Sequence, residues 1–169
     1  MLAIFAHGSL MFRSELPARI RPATVRGLER RFGQPSVRNW GRRPAPAPTS
    51  SLVPGDRVDG LLLELADPDG THLASLTRRE NGEPTEIRVE TGEGTRSALT
   101  WPMASDWADL DVEGLVEAAI RNVAHGGGPF GDAWEYVNGM VSAMDAHGID
   151  DPLVRAYHSS LRRAIRDGR

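Results

Sequence analysis

Apolar residues follow two rhythms along this chain. Up to residue 101 they form short runs and alternations; beyond it they recur every three or four positions. Leu2-Ala3-Ile4-Phe5-Ala6 is an apolar run that passes straight into His7-Gly8-Ser9-Leu10. It predicts a buried strand ending in a small-residue turn. Thr24–Phe32 carries β-branched and arginine residues on both sides of Gly27 and predicts a second strand. Val58–Leu65 is strongly apolar, has Gly60 inside it, and stops at the turn Asp67-Pro68-Asp69-Gly70. Thr85–Glu90 alternates, with Ile87 and Val89 on one face and Glu86, Arg88 and Glu90 on the other. Gly92-Glu93-Gly94 then predicts a hairpin turn into Thr95–Trp101. Such a series suggests an antiparallel sheet or a small barrel. The alternating prolines of Arg42-Arg43-Pro44-Ala45-Pro46-Ala47-Pro48 exclude helix and central strand. That segment reads as a surface loop with polyproline character.

The rest of the chain reads as helix. Val112, Leu115, Val116, Ala119, Ile120 and Val123 form one stripe, which ends at Gly126-Gly127-Gly128-Pro129. Asp132 and Glu135 stand at capping-box spacing before the stripe Trp134, Val137, Val141 and Met144, which Gly148 closes. Asp151-Pro152 opens a third helix, with Leu153, Tyr157, Leu161 and Ile165 as its buried face. The expected fold is α+β, as one domain over residues 1–169. A mixed, curved or barrel-like sheet comes from residues 2–101, with helices at 112–124, 132–147 and 151–166 packed around it.

Composition narrows the function. A charged fraction of 25% and a hydrophobic fraction of 40% are ordinary for a soluble globular chain. The net charge of −3 argues against non-specific nucleic-acid binding. The absence of cysteine removes disulfides, thiol catalysis and thiolate metal sites. The first apolar run is too short for a signal peptide or membrane span, so a cytoplasmic protein is expected, with no membrane partner.

Candidate chemistry is sparse. His7, His72, His125, His147 and His158 are scattered without metal-ligand spacing, so no metal is expected. No phosphate-binding lysine loop is present, and Gly126–Gly128 reads as an inter-helix connection. Glycine and serine at the exit of the first strand leave backbone N–H groups open to a ligand. Ser9 beside His7 raises a serine-type amidohydrolase, without the Gly-x-Ser-x-Gly context of a nucleophile elbow. Among carboxylates, Glu80 lies in the short helical segment Leu73–Asn81; Glu83 and Glu86 follow in a loop and on a polar strand face.

Five segments, in one order, resemble the γ-glutamylcyclotransferase superfamily and most closely its ChaC-type branch. His7-Gly8-Ser9-Leu10 is similar to the family's Tyr-Gly-Ser-Leu loop. Val25-Arg26-Gly27-Leu28-Glu29-Arg30-Arg31-Phe32, with Ser36, resembles Leu-x-Gly-Tyr-x-Arg-x-Phe and its following serine. Ser51-Leu52-Val53-Pro54-Gly55 resembles Gly-Leu-x-Pro-Gly, and Thr77-Arg78-Arg79-Glu80 resembles Leu-Asp-x-Arg-Glu. Gly128-Pro129-Phe130-Gly131, Tyr136-Val137-Asn138 and Gly148-Ile149-Asp150-Asp151 resemble the branch's C-terminal loop and helix pair. The chain departs from the pattern at His7 for tyrosine, Thr77 for aspartate, and Glu83 for the tyrosine after glycine.

The resemblance implies cyclisation of a γ-glutamyl amide to 5-oxoproline with release of the amine. It implies Glu80 as general acid/base and the loop His7, Gly8, Ser9 and Leu10 as the binder of the glutamyl group. It implies no metal or cofactor, and a small γ-glutamyl amine as the substrate. Glutathione and other γ-glutamyl amines stay open as substrates, as does oligomeric state. Two alternatives stand beside it: a non-catalytic binding or regulatory module on the same fold, and the Ser/His amidohydrolase.

Overall fold

The computed structural model of the chain describes residues 1–102 and 106–168. Among them, five strands close into a barrel: β1 (Leu2–Ala6), β2 (Arg19–Ser36), β3 (Ala47–Leu65), β4 (Thr85–Thr91) and β5 (Gly94–Thr100). Their order around it is β1-β3-β2-β4-β5. Neighbours are antiparallel except at the seam, where β1 meets β5 in parallel at Ile4 and Leu99. Helix α1 (Thr71–Glu80) lies between β3 and β4 in the chain, and α2 (Val112–Ala124), α3 (Ala133–Ala146) and α4 (Pro152–Arg166) follow the barrel. The mixed, barrel-like sheet with a helical C-terminal part is the expected architecture.

The unbroken apolar runs have a simple cause: β1 and the end of β3 are buried on both faces. Phe5 and Leu62 turn into the barrel and meet Ala23, Val25, Leu52, Val58, Val89 and Ala98. Ile4, Ala6, Leu61, Leu63 and Leu65 turn the other way and pack with Val137, Met140, Met144, Tyr157 and Leu161 of the helices. At Gly60 a Cβ would stand 2.5 Å from the Ala6 carbonyl oxygen, so glycine lets β1 and β3 lie this close.

Several boundaries differ from the sequence expectation. The β2–β3 ladder runs from Arg19↔Glu64 to Ser36↔Ala47, well beyond the apolar segments. It absorbs irregularities at Arg26/Leu28 and Arg31/Gln34. Gly27, at the first of these, has φ 81, as a bulge in the left-handed region needs. The proline-rich segment divides. Arg42–Pro44 is exposed, but Ala47 and Pro48 are buried and open β3. Pro48 pairs with Pro35 near the end of the ladder, where two missing donors share one rung.

The caps expected for α3 and α4 are in place, and α2 has one of its own. Asp111 accepts from Gly114 N, Asp132 and Glu135 form a capping box, and Asp151 accepts from Leu153 N and Val154 N ahead of a first-turn proline. The buried faces are partly corrected. On α2 the fully buried residues are Leu115, Ala118, Ala119 and Asn122, while Val112, Val116, Ile120 and Val123 are half-buried. On α3, Tyr136 and Met140 are buried and Trp134 is half-buried, its ring stacked on His158 at 5.0 Å. On α4, Val154 is buried and Ile165 is exposed, because the last turn runs past Leu161 into solvent.

Candidate active site

The chain leaves β1 at Ala6 and tightens into a 3₁₀ turn, Ser9–Met11, closed by Met11 N on Gly8 O at 3.0 Å. Gly8 has no room for a side chain: a Cβ would stand 2.8 Å from Tyr136 Oη and 3.2 Å from Ser50 Cβ. The N–H groups of Ser9 and Leu10 reach no acceptor among the described residues.

His7 anchors this turn from below. Its Nε2 donates to the Trp101 carbonyl at 2.9 Å, and its Nδ1 lies 2.9 Å from Ser50 Oγ. A carbonyl only accepts, so the ring proton sits on Nε2 and Nδ1 is an acceptor; the single Ser50 hydroxyl proton lies between Nδ1 and the His7 carbonyl oxygen, 3.0 Å away. Burial pushes the imidazole down to about 4, against the Trp101 bond and helped by the nearby Arg30 charge, so the ring is neutral. Arg30 is itself buried. Its Nε donates to the His7 carbonyl at 3.1 Å, one terminal nitrogen donates to the Asp59 carbonyl at 2.7 Å, and the other pairs with the Asp151 carboxylate. The barrel, the turn and the N-cap of α4 are thus tied at one guanidinium.

Tyr136 comes from α3. Its Oη accepts the Ser50 N–H at 2.9 Å. Burial holds the phenol well above its usual range, so it keeps its proton and can donate it. Phe12 and Trp40 meet it edge-on, the Trp40 and Tyr136 rings 5.1 Å apart, and Phe130 packs edge-on against Trp40 in turn. Asn122 fixes the backbone beneath. Its Nδ2 donates to the carbonyls of Trp40 and Ala45 at 3.1 and 2.9 Å, and its Oδ1 accepts Ala133 N at 2.7 Å.

Glu80 is the last residue of α1. Asn81, at φ 58, ends the helix in the left-handed region, and its side chain accepts from Arg38 at 2.8 Å. The Glu80 side chain is only 13% exposed, with Arg79 Nε 3.3 Å from its Oε1. That oxygen is nonetheless buried without a hydrogen-bond partner among the described residues, because the two groups are close but not aligned. Burial raises the carboxyl above its ordinary value, and the Arg79 charge opposes the rise.

These elements enclose one cavity of about 580 Å³. His7, Gly8, Ser9, Leu10 and Glu80, which the sequence places some 70 residues apart at the extremes, all line it. The structure separates the other candidates. Glu83 reaches the rim, exposed, while Glu86 lies on the outer face of β4 and accepts from Ser97. Ser9 Oγ accepts from Arg79 at 3.2 Å, and the hydroxyl on His7 is that of Ser50. The Ser9–His7 pair needed for an amidohydrolase is therefore not formed. Sequence reasoning missed Ser50, Arg79, Trp101 and Asn122 as site-builders. Among the described residues no cluster of His, Asp or Glu has the makings of a metal site, and no helix is long and apolar enough to cross a membrane.

The fold is that of the γ-glutamylcyclotransferases. A γ-glutamyl cyclotransferase specific to glutathione from yeast superposes with a TM-score of 0.80, at 16% identity over 96% of each chain. Another γ-glutamyl cyclotransferase gives 0.58 at 17% identity over 95% of this chain and 86% of its own. YkqA from Bacillus subtilis gives 0.61 at 14% identity over 95% of this chain and 54% of its own. A search of proteins of curated function found no match. Residues 2–163 match the family described as ChaC-like protein. The chain belongs to that family and has the fold of the γ-glutamylcyclotransferases.

Proposed function

We propose that the protein cyclises a γ-glutamyl amide to 5-oxoproline, with Glu80 as general acid/base and the His7–Leu10 loop as the holder of the glutamyl group. The observation that carries this reading is the position of Glu80: a buried carboxylate with an oxygen free of hydrogen bonds, on the same cavity as an open turn of backbone donors. The substrate's α-carboxylate takes the Ser9 and Leu10 N–H groups. Its α-ammonium faces Glu80, which removes one proton. The freed amine attacks the γ-carbonyl carbon; the new C–N bond closes the five-membered ring. Tyr136 O–H is a donor for the oxygen on which charge develops. The old amide C–N bond then breaks as the proton held by Glu80 passes to the departing nitrogen; the ring nitrogen gives up its second proton through the same carboxylate, so the ring keeps one N–H and the amine leaves as an ammonium. No water is consumed.

The nucleophile belongs to the substrate, so the protein has two tasks. Folding the substrate so that amine and carbonyl meet contributes up to roughly 7–11 kcal/mol in the best intramolecular cases. A positioned base contributes roughly 10²–10⁴-fold. A carboxyl raised by burial is closer to neutrality than a solvated one and is a better match for that work. Glutathione is the proposed substrate, with cysteinylglycine leaving, because the yeast protein that shares the fold over nearly its whole length acts on it.

The test is a panel of γ-glutamyl amides that includes glutathione, analysed for product. The reading predicts 5-oxoproline and the free amine. Free glutamate would point to hydrolysis, and no turnover of any member would favour the binding-module alternative.

A further inference from the structure

Arg79 lies between the two halves of the site, and every face of its guanidinium is engaged. One terminal nitrogen donates to the Arg13 carbonyl at 2.6 Å, and the other donates to Ser9 Oγ at 3.2 Å. Its Nε lies 3.3 Å from Glu80 Oε1. Its plane stands over the Phe130 ring at 5.5 Å, and Arg13 covers the same ring at 4.5 Å while donating to the Phe130 carbonyl. The side chain thus spans the end of α1, the turn after β1 and the loop before α3.

We infer that Arg79 is a positioning residue that locks the substrate-holding turn to the catalytic carboxylate, so that one guanidinium sets both the geometry of the site and the ionisation of Glu80. This rests on the assignment of Glu80 as the base. The fork reaches two points of the turn, Ser9 and Arg13, whose separation sets where the Ser9 and Leu10 N–H groups aim. A planar guanidinium can hold two such points at fixed angles; an ammonium cannot. The third contact is electrostatic. Glu80 shares the cavity with several titratable groups: His7 from the end of β1, Arg38 from the segment after β2, Glu83 beyond α1 and Tyr136 from α3. His7 and Tyr136 are neutral, Glu83 stands exposed at the rim, and Arg38 is engaged by Asn81. Arg79 is the cation in direct contact, and it opposes the upward push of burial on the carboxyl.

The test combines rate–pH profiles with carboxyl NMR on wild type, Arg79→Gln, Arg79→Lys and Glu80→Gln, each first checked for native fold by circular dichroism. In Arg79→Gln the acid limb of kcat/KM should move up by about one to three pH units, the usual effect of an opposite charge beside a carboxylate. KM for the γ-glutamyl substrate should rise as the turn loosens. Arg79→Lys, which keeps the charge and loses the fork, should hold the limb near wild type yet still raise KM. A merely structural role would lower kcat in both variants without moving the limb. An unmoved limb in Arg79→Gln, or a wild-type KM in Arg79→Lys, would overturn the inference. If Arg79→Gln does not fold, the Glu80 carboxyl titration in Arg79→Lys decides: it should stay near that of wild type, and a rise as large as that expected for loss of the charge would count against the inference. Full activity in Glu80→Gln would instead defeat the assignment of the base.

Discussion

His7→Gln should flatten the acid side of the protein's stability curve. The imidazole is 6% exposed and neutral, pushed down to about 4 from an ordinary value of 6.5. The unfolded chain binds a proton at this residue once the pH falls below about 6.5, whereas the folded protein does not until about 4. Stability therefore drops as pH falls through that window and stops responding to His7 below it. Each unit of difference is worth about 1.4 kcal/mol, so this residue alone costs roughly 2 kcal/mol between pH 7.5 and 5, and about 3 kcal/mol by pH 4. Glutamine keeps a donor for the Trp101 carbonyl and cannot ionise. Urea unfolding of both proteins at several pH values, followed by tryptophan fluorescence, gives the difference directly. Carboxylate contributions common to both proteins cancel in it. Parallel stability curves for wild type and His7→Gln would refute the neutral, tautomer-fixed histidine.

Three further outcomes follow from the packing. Asn122→Ala strips the Trp40 and Ala45 carbonyls and the Ala133 N–H of their partner in a fully buried position, and should cost about 3 kcal/mol or more in denaturant unfolding. Glu80→Gln should raise Tm near neutral pH and leave it unchanged below the ordinary carboxylate range: the folded carboxyl gives up its proton at higher pH than the unfolded one, so wild type loses stability as pH rises through that interval. Gly8→Ala places a methyl 2.8 Å from Tyr136 Oη, and should raise KM at least tenfold while costing about 1–3 kcal/mol of stability, as overpacking does.

What was legible in the sequence was what local chemistry decides. The caps Asp132 and Asp151 bond to backbone two or three residues away, and the apolar run of β1 announces a strand buried on both faces. What was not legible depends on distant partners. Asn122 looks like any polar helix residue, yet its bonds reach carbonyls 82 and 77 residues away. Pro48 reads as loop because the sequence does not show that Pro35 stands opposite it. Ile165 fits the stripe of α4 but lies beyond the surface that the stripe packs on. Glu80 is one acid among 23; only a family resemblance singled it out, since its burial comes from the approach of the turn at residues 7–10. Arg79 is one more residue of that segment in the sequence, its reach to Ser9 and Arg13 being a matter of tertiary contact.

The most direct test of the central claim is the reaction of glutathione in ¹⁸O-labelled water, with wild type and Glu80→Gln side by side. Cyclisation forms no bond to solvent oxygen. The account predicts unlabelled 5-oxoproline from wild type, and a rate lower by at least about 10² in Glu80→Gln, the scale expected for loss of a general base. Labelled glutamate as the product, or equal rates in the two proteins, would contradict it.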